Sequence, residues 1–277
     1  MESPDPSFVL NQFGADAGYE LSYSDGTRFL VTHDGSRVWG TYQKPLTFED
    51  LTTYFLGPVM GFVLRIRHII SLHASAVEIA RHAVCFCGDA GAGKSTTAAA
   101  LAIRGVPVIG EDIIPLQESG RDVEAVPGYP RVCLWPESVA MLLGSAEALP
   151  KLTPVWDKRF LELGRSEARF VEDKLPVGIV YLISPRTTEG SAPRIEDVTP
   201  REALLSLVQN TYMNWLIGPE QRAREFDLLH RMVGQVAIRR IIPHSQPEKI
   251  GELCDLILSD AERVLARARN STEFVRR

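Results

Sequence analysis

The residues Gly88-Asp89-Ala90-Gly91-Ala92-Gly93-Lys94-Ser95 follow the pattern G-x-x-x-x-G-K-[ST], and Thr96 leads on into an alanine-rich run ending at Ile103. The apolar run Ala83-Val84-Cys85-Phe86-Cys87 comes directly before. Strand, glycine loop and helix thus stand in the order that gives this pattern its chemistry. Gly88, Gly91 and Gly93 permit positive φ and let backbone N–H groups approach an anion with no Cβ in the way. Lys94 adds a mobile charge for the β and γ phosphates, and the Ser95 hydroxyl can complete the shell of a Mg²⁺ ion. The helix start contributes free N–H groups and the positive end of its dipole. Together these parts hold a nucleoside triphosphate, so the expected cofactors are ATP and Mg²⁺, bound by residues 88–96.

A second chemical cluster, Gly110-Glu111-Asp112, closes the short apolar run at 106–109. Two carboxylates there stand at the C-terminal edge of a sheet, on the same rim as the phosphate loop, where α/β sheets bind ligands. Neighbours at a strand end point to opposite sides, which gives the two acids different tasks. One can hold the metal, directly or through water, and the other can take the proton of an attacking hydroxyl. The residue types leave open which does which. His73, between Leu72 and Ala74 on the preceding apolar run, is either a satisfied core histidine or a third member of this cluster.

A βαβ unit positions both clusters. Residues 70–79 and 83–87 read as strands joined by Ala80-Arg81-His82, the helix from Lys94 stops at Arg104-Gly105, and 106–109 is the returning strand. Upstream, Asp25-Gly26 and Asp34-Gly35 separate β-type runs over residues 8–43, which predicts a small antiparallel meander and an N-terminal subdomain over 1–46 beside a phosphate-loop domain over 47–277. Thr47 caps an irregular helix that passes Gly57-Pro58 and ends near His68. Downstream, 137–143 is helical and 149–174, polar and weakly periodic, reads as a mobile loop or lid. Residues 177–184 form a buried strand, 189–193 a linker, and 200–209, 211–217 and 221–234 helices. A strand over 236–242 and an amphipathic helix over 247–268 close the chain.

Composition excludes several classes. The 277 residues are 45% hydrophobic and 23% charged, with a formal net charge of -5, so no clustered positive field for a nucleic acid is expected. The tail arginines Arg263, Arg267, Arg269, Arg276 and Arg277 read as a solvated helix end. Cys85, Cys87, Cys133 and Cys254 lack metal-ligand spacing and are expected as reduced core residues. The start, Met1-Glu2-Ser3-Pro4-Asp5-Pro6, has no basic-then-apolar pattern, and the most apolar run, 54–64, is too short to span a bilayer. A cytoplasmic location without a membrane partner is the expectation.

The runs Leu72-His73-Ala74-Ser75-Ala76-Val77, Gly88 to Thr96 and Ile103-Arg104-Gly105-Val106-Pro107-Val108-Ile109-Gly110-Glu111-Asp112-Ile113 carry a family likeness. They resemble the catalytic domain of HPr kinase/phosphorylases, the bacterial protein-serine kinases, in which a histidine precedes the phosphate loop and an acidic pair follows the helix. Gly128-Tyr129-Pro130-Arg131, Leu134-Trp135-Pro136 and Lys158-Arg159 extend the likeness to HPr kinase-like proteins of bacterial peptide-biosynthesis clusters, including kinases of lasso-peptide precursors. The resemblance implies an α/β fold, a phosphate-loop domain of the HPr kinase and phosphoenolpyruvate carboxykinase type. It further implies Lys94 and the loop glycines on phosphate, Ser95 and Asp112 on Mg²⁺, Glu111 as base, and His73 supporting that base. Ala74 and Glu111 stand where the family usually has glycine and aspartate.

Residues and resemblance together predict an ATP- and Mg²⁺-dependent kinase acting on a serine hydroxyl of a peptide or protein, a lasso precursor among the candidates. Arg131, Lys158 and Arg159 are candidates to clamp phosphate or an acidic peptide, with surface ion pairing as the other reading. The rival functions are a small-molecule kinase on the same scaffold and a non-catalytic ATP-gated binding protein. The acceptor and the oligomeric state are open.

Overall fold

The computed structural model describes residues 8–13, 18–164, 167–188, 190, 193–216 and 218–275, with side chains described through residue 268. The expected linker over 189–193 and the arginines at 269, 276 and 277 fall wholly or largely outside that set. Four strands open the chain, β1 (Val9–Phe13), β2 (Gly18–Ser22), β3 (Arg28–Val31) and β4 (Val38–Thr41), paired antiparallel in that order. The turns between the last three contain Gly26 at φ 89° and Gly35 at φ 66°, the left-handed positions that the Asp-Gly pairs supply. Helix α1 (Phe48–Tyr54) begins where Asp50 accepts from the Thr47 backbone N–H at 2.8 Å, and continues through a π-turn at Phe55–Val59 into α2 (Met60–Ile66). Gly57-Pro58 causes the π-turn, since proline cannot donate to the helical ladder. Leu21, Phe29 and Val31 of the sheet share one buried cluster with Tyr54, Val59 and Phe62 of the helices.

The remaining strands are β5 (Ser71–Ile79), β6 (His82–Cys87), β7 (Val108–Gly110), β8 (Ile113–Ser119), β9 (Asp122–Ala125), β10 (Arg131–Leu134), β11 (Arg159–Glu162), β12 (Leu175–Ile183), β13 (Arg194–Asp197) and β14 (Ala237–Ile242). The helices are α3 (Lys94–Ile103), α4 (Pro136–Leu143), α5 (Pro200–Gln209), α6 (Pro219–Gln235) and α7 (Ile250–Val275). An eight-stranded sheet runs β13-β14-β12-β6-β5-β8-β9, with β7 also on β5. Its strands β6, β12 and β14 are parallel, and β5 and β13 run against them.

Residues alternate between two cores across this sheet. Val84 and Phe86 of β6 face α3 and α7, while Ala83, Cys85 and Cys87 face α5 and α6. The result is a helix–sheet–helix sandwich of mixed α/β class beside a four-stranded antiparallel sheet. All four cysteines are free, and burial pushes the Cys87 thiol up to about 12. Among the described residues no helix is long and apolar enough to cross a membrane.

Three expectations change. The βαβ unit is split: β6 and β7 are both antiparallel to β5 and hence parallel to each other, with β5 between them. The cause is the two-residue turn at Ala80 (φ 51°) and Arg81 (φ 65°), which folds β5 onto β6 before the helix can return. The polar stretch 149–174 is not a free loop over its described residues. It contains β11, paired with β10 from Arg131↔Glu162 to Leu134↔Arg159, and buries Leu152, Thr153, Leu163, Ala168 and Val171. Backbone pairing needs no apolar side chains, so polarity concealed the strand. Within 211–217, Thr211 bridges Leu72, Met213 has φ 50°, and only Asn214–Leu216 forms a short 3₁₀ turn.

Candidate functional site

Strand β6 ends at Cys87, and the six residues before α3 turn through three glycines with positive φ: Gly88 (155°), Gly91 (78°) and Gly93 (107°). A Cβ on Gly88 would lie 2.8 Å from the Ile183 carbonyl oxygen, so close approach as well as φ demands glycine there. Gly93 caps α3, which aims the first helical N–H groups into the loop. Lys94 is buried, and its Nζ donates to the carbonyls of Gly88 at 2.8 Å and Asp89 at 3.2 Å. Burial depresses its pKa, partly offset by the charges of Asp112, Glu111 and Asp89. Asp89, Ala90, Gly91 and Ala92 form the crest of the loop, and the Ala92 N–H closes it on the Asp89 carbonyl at 3.1 Å. The Thr96 hydroxyl pairs with Ser138 of α4 at 2.9 Å, leaving only its backbone for the loop.

The acid pair sits in a tight turn between β7 and β8. Asp112 has φ 69°, and the Ile113 N–H donates to the Glu111 carbonyl at 2.9 Å, a three-residue γ-turn. That conformation is uncommon and strained for a residue with a Cβ. It also overrides strand alternation, so both carboxylates stay near the phosphate loop. The Ser95 hydroxyl donates to Glu111 Oε1 at 2.7 Å, and His73 Nε2 lies 3.3 Å from Asp112 Oδ1. The resemblance pairs Ser95 with Asp112 and His73 with Glu111; the turn brings the opposite pairs together.

Electrostatics separates the two acids. Burial, then the neighbouring Asp112 charge, raises Glu111 to about 7, against hydrogen bonds from Ser95 and the Cys133 backbone and the charge of Lys158. Burial also works to raise Asp112, but the hydrogen bond and charge of His73, with Lys158 and Lys94, hold it below the usual range.

No family model and no curated protein matches the chain. Among solved structures it is similar to the Hpr(Ser) kinase/phosphatase from Coxiella burnetii, with 15% identity over 74% of this chain and 97% of that one and a TM-score of 0.38. That likeness assigns no residue and no activity here.

The three cationic candidates lie on or beside the two-stranded β10–β11 sheet, and they separate. Lys158 is the one whose charge reaches both Glu111 and Asp112, and its Nζ stands 5.0 Å from the centroid of exposed Trp135. Arg131 stacks over Tyr129 at 4.9 Å, whose phenol is pushed up by burial and by the Glu111 charge. Arg159 turns to Glu147 at 3.8 Å.

Further residues belong to the site with no signal in any motif. Asn210, the C-cap of α5, accepts from the Gly88 N–H through Oδ1 at 2.8 Å, and its carbonyl accepts from the His73 N–H at 2.7 Å. Tyr212 packs edge-on to His73 at 5.7 Å, over Gly61 of α2, where a methyl group would overlap the Tyr212 ring. Gly57, in the π-turn, borders Asp112: a Cβ on it would lie 3.8 Å from Oδ2.

The donor set suits Mg²⁺. The Ser95 hydroxyl, Glu111 and Asp112 are all hard oxygen donors on one side of the loop, and two adjacent carboxylates, one with a raised pKa, form a site that a divalent cation relieves. Such an ion needs few protein ligands because phosphate oxygens and waters fill the rest of its shell.

Proposed function

We propose that this chain is an ATP- and Mg²⁺-dependent phosphotransferase that places the γ-phosphoryl group on a serine hydroxyl of a peptide or protein. The observation that carries the reading is the 2.7 Å bond between Ser95, on the phosphate loop, and Glu111, which joins the anion cradle to the acid pair. In this reading Gly88, Gly91, Gly93 and the N-terminus of α3 present N–H groups to the phosphates, and Lys94 leaves its two carbonyls to neutralise the β and γ oxygens. Ser95 and Glu111, with Asp112 beside them, would hold the metal, which would supply charge neutralisation on the transferring phosphoryl group.

Asp112, ionised at neutral pH and oriented by His73, accepts the proton of the acceptor hydroxyl. Asn210 fixes both flanks at once, because one residue ties Gly88 to the His73 backbone. Lys158, whose charge reaches both acids and whose Nζ stands over exposed Trp135, offers an acceptor chain a cationic contact. The motif likeness to HPr kinase-like proteins favours a serine acceptor and a protein or peptide partner, with a lasso precursor as the specific candidate.

The test is γ-labelled ATP with a panel of serine-containing peptides and, in parallel, metabolites, read by mass spectrometry for one added phosphate. Lys94→Ala is expected to lower transfer by about 10²-fold or more, the scale of one lost transition-state contact. Full activity in that variant overturns the assignment, and phosphate release without an acceptor identifies a plain ATPase instead.

A further inference from the structure

The two oxygens of Asp112 have different surroundings. Oδ1 faces His73 at 3.3 Å, while Oδ2 faces the π-turn that joins α1 to α2. Gly57 leaves the helical path there at φ -99° and ψ -108°, and the direction its side chain would take runs to the acid. Beyond the turn's own neighbouring residues, Asp112 Oδ2 is the one atom within 4 Å of where a Cβ on Gly57 would stand, at 3.8 Å. The turn is a firm wall: Tyr54 and Val59 at its two ends are buried, and the Tyr54 ring packs edge-on to Trp156 at 5.4 Å. The Asp112 side chain is 33% exposed, so the carboxylate reaches solvent beside that wall. Of the acids near Lys94, Asp112 acts on its charge most strongly, which puts this carboxylate beside the group that meets the reacting end of a triphosphate.

We propose that the room left by the missing Gly57 side chain is the seat of the acceptor's hydroxymethyl group, with the acceptor oxygen on Asp112 Oδ2. The proposal rests on the phosphotransferase reading above and names the acceptor's side of that site. The 3.8 Å between Oδ2 and the Cβ position is close to the span of a carbon, its hydroxyl oxygen and one O–H···O⁻ hydrogen bond of about 2.7 Å. A serine hydroxymethyl group therefore fits between wall and acid with its proton on the accepting oxygen. On transfer, the bond between the γ phosphorus and its bridging oxygen breaks and the electron pair leaves with ADP. A new bond joins that phosphorus to the serine oxygen, and the hydroxyl proton passes to Oδ2. Any side chain at position 57 takes the acceptor's place, which makes Gly57 a specificity-determining residue supplied by the segment between α1 and α2 rather than by the phosphate loop or the acid turn.

The experiment builds the acceptor into the wall. Gly57→Ser supplies a hydroxymethyl group in the proposed seat, and the whole chain incubated with ATP and Mg²⁺ is expected to take up about one phosphate at position 57, located by peptide mass spectrometry. Because the transfer stays within one molecule, its rate is expected to hold on about tenfold dilution of the chain. Adding Asp112→Asn to Gly57→Ser is expected to slow it about 10²-fold. A Cβ at 3.8 Å is an ordinary contact, so Gly57→Ala and Gly57→Ser are both expected to fold and to bind ATP within about twofold of the wild type by calorimetry.

A Gly57→Ser chain that binds ATP normally yet carries no phosphate at position 57 overturns the proposal and leaves the phosphotransferase reading standing. So does phosphate there that Asp112→Asn fails to slow, or whose rate falls with dilution. Loss of ATP binding in either Gly57 variant shows that the turn needs glycine for its fold and overturns the seat likewise. A wild type that binds no ATP refutes the underlying reading, and the seat goes with it.

Discussion

Asp112 meets two demands in one residue: its backbone occupies the left-handed region at φ 69°, and its carboxylate faces His73 at 3.3 Å. Asparagine tolerates that backbone far better than most residues with a Cβ, whereas alanine does not. Asp112→Asn therefore separates fold from chemistry. It is expected to keep a melting temperature near that of the wild type while transfer falls by about 10²-fold, and Asp112→Ala to lose both. Near-normal transfer in Asp112→Asn would move the proton acceptor elsewhere. Legibility follows the same division at this scale. The loop from Gly88 to Ser95 and the presence of an acid pair are local patterns and can be read directly. The partners of the acids could not, because strand alternation does not apply inside a γ-turn. Asn210 was invisible for another reason: it reaches Gly88 across 122 residues, and no spacing rule covers such a distance.

Gly88 sits where an element meets its neighbour. With φ 155° and the Ile183 carbonyl 2.8 Å from any Cβ, Gly88→Ala must push the loop away from the end of β12. A destabilisation of about 2 kcal/mol and the loss of nucleotide binding are expected, read by denaturant titration and calorimetry. The β3–β4 turn offers a pH-dependent counterpart. Hydrogen bonds from the Thr32 hydroxyl and from the Ser36 backbone and hydroxyl lower the Asp34 carboxyl from 3.8 to about 2. A depressed carboxylate stabilises the fold above its unfolded pKa and loses that contribution as pH falls through the folded value. The melting-temperature gap between wild type and Asp34→Ala is thus expected to be constant above about 4 and to close towards about 2. A gap that widens in acid would contradict the assignment.

Elements marked by glycine, proline or capping residues were legible, such as α5 with Thr199, Pro200 and Glu202 at its start. Strands β8 to β11 were not, since they contain Pro115 and the polar run Gln117 to Ser119, and their pairing is a backbone matter.

Across the whole molecule, the site depends on a joint far from any phosphate. Arg65 of α2 pairs with Glu225 of α6, both nearly inaccessible to solvent, and Arg65 Nε also donates to the Tyr212 carbonyl at 2.8 Å while the Thr211 hydroxyl donates to Glu225 at 2.8 Å. The segment from Asn210 to Tyr212, which touches both Gly88 and His73, hangs from this joint. Glu225→Gln leaves a buried guanidinium without its counter-charge, and a loss of about 3 kcal/mol is expected in chemical denaturation, with weaker nucleotide binding by the folded fraction. An unchanged unfolding midpoint would show the joint to be dispensable. The α/β class was implied by the family resemblance of the motifs, but this coupling links positions 160 apart and has no local trace.

Lys94 gives the molecule one more property. Because its ammonium already rests on two carbonyls of its own loop, an incoming ligand exchanges partners with groups that were never left wanting. The lysine is therefore satisfied in the empty loop, and a ligand there has two existing hydrogen bonds to displace before it gains the ammonium.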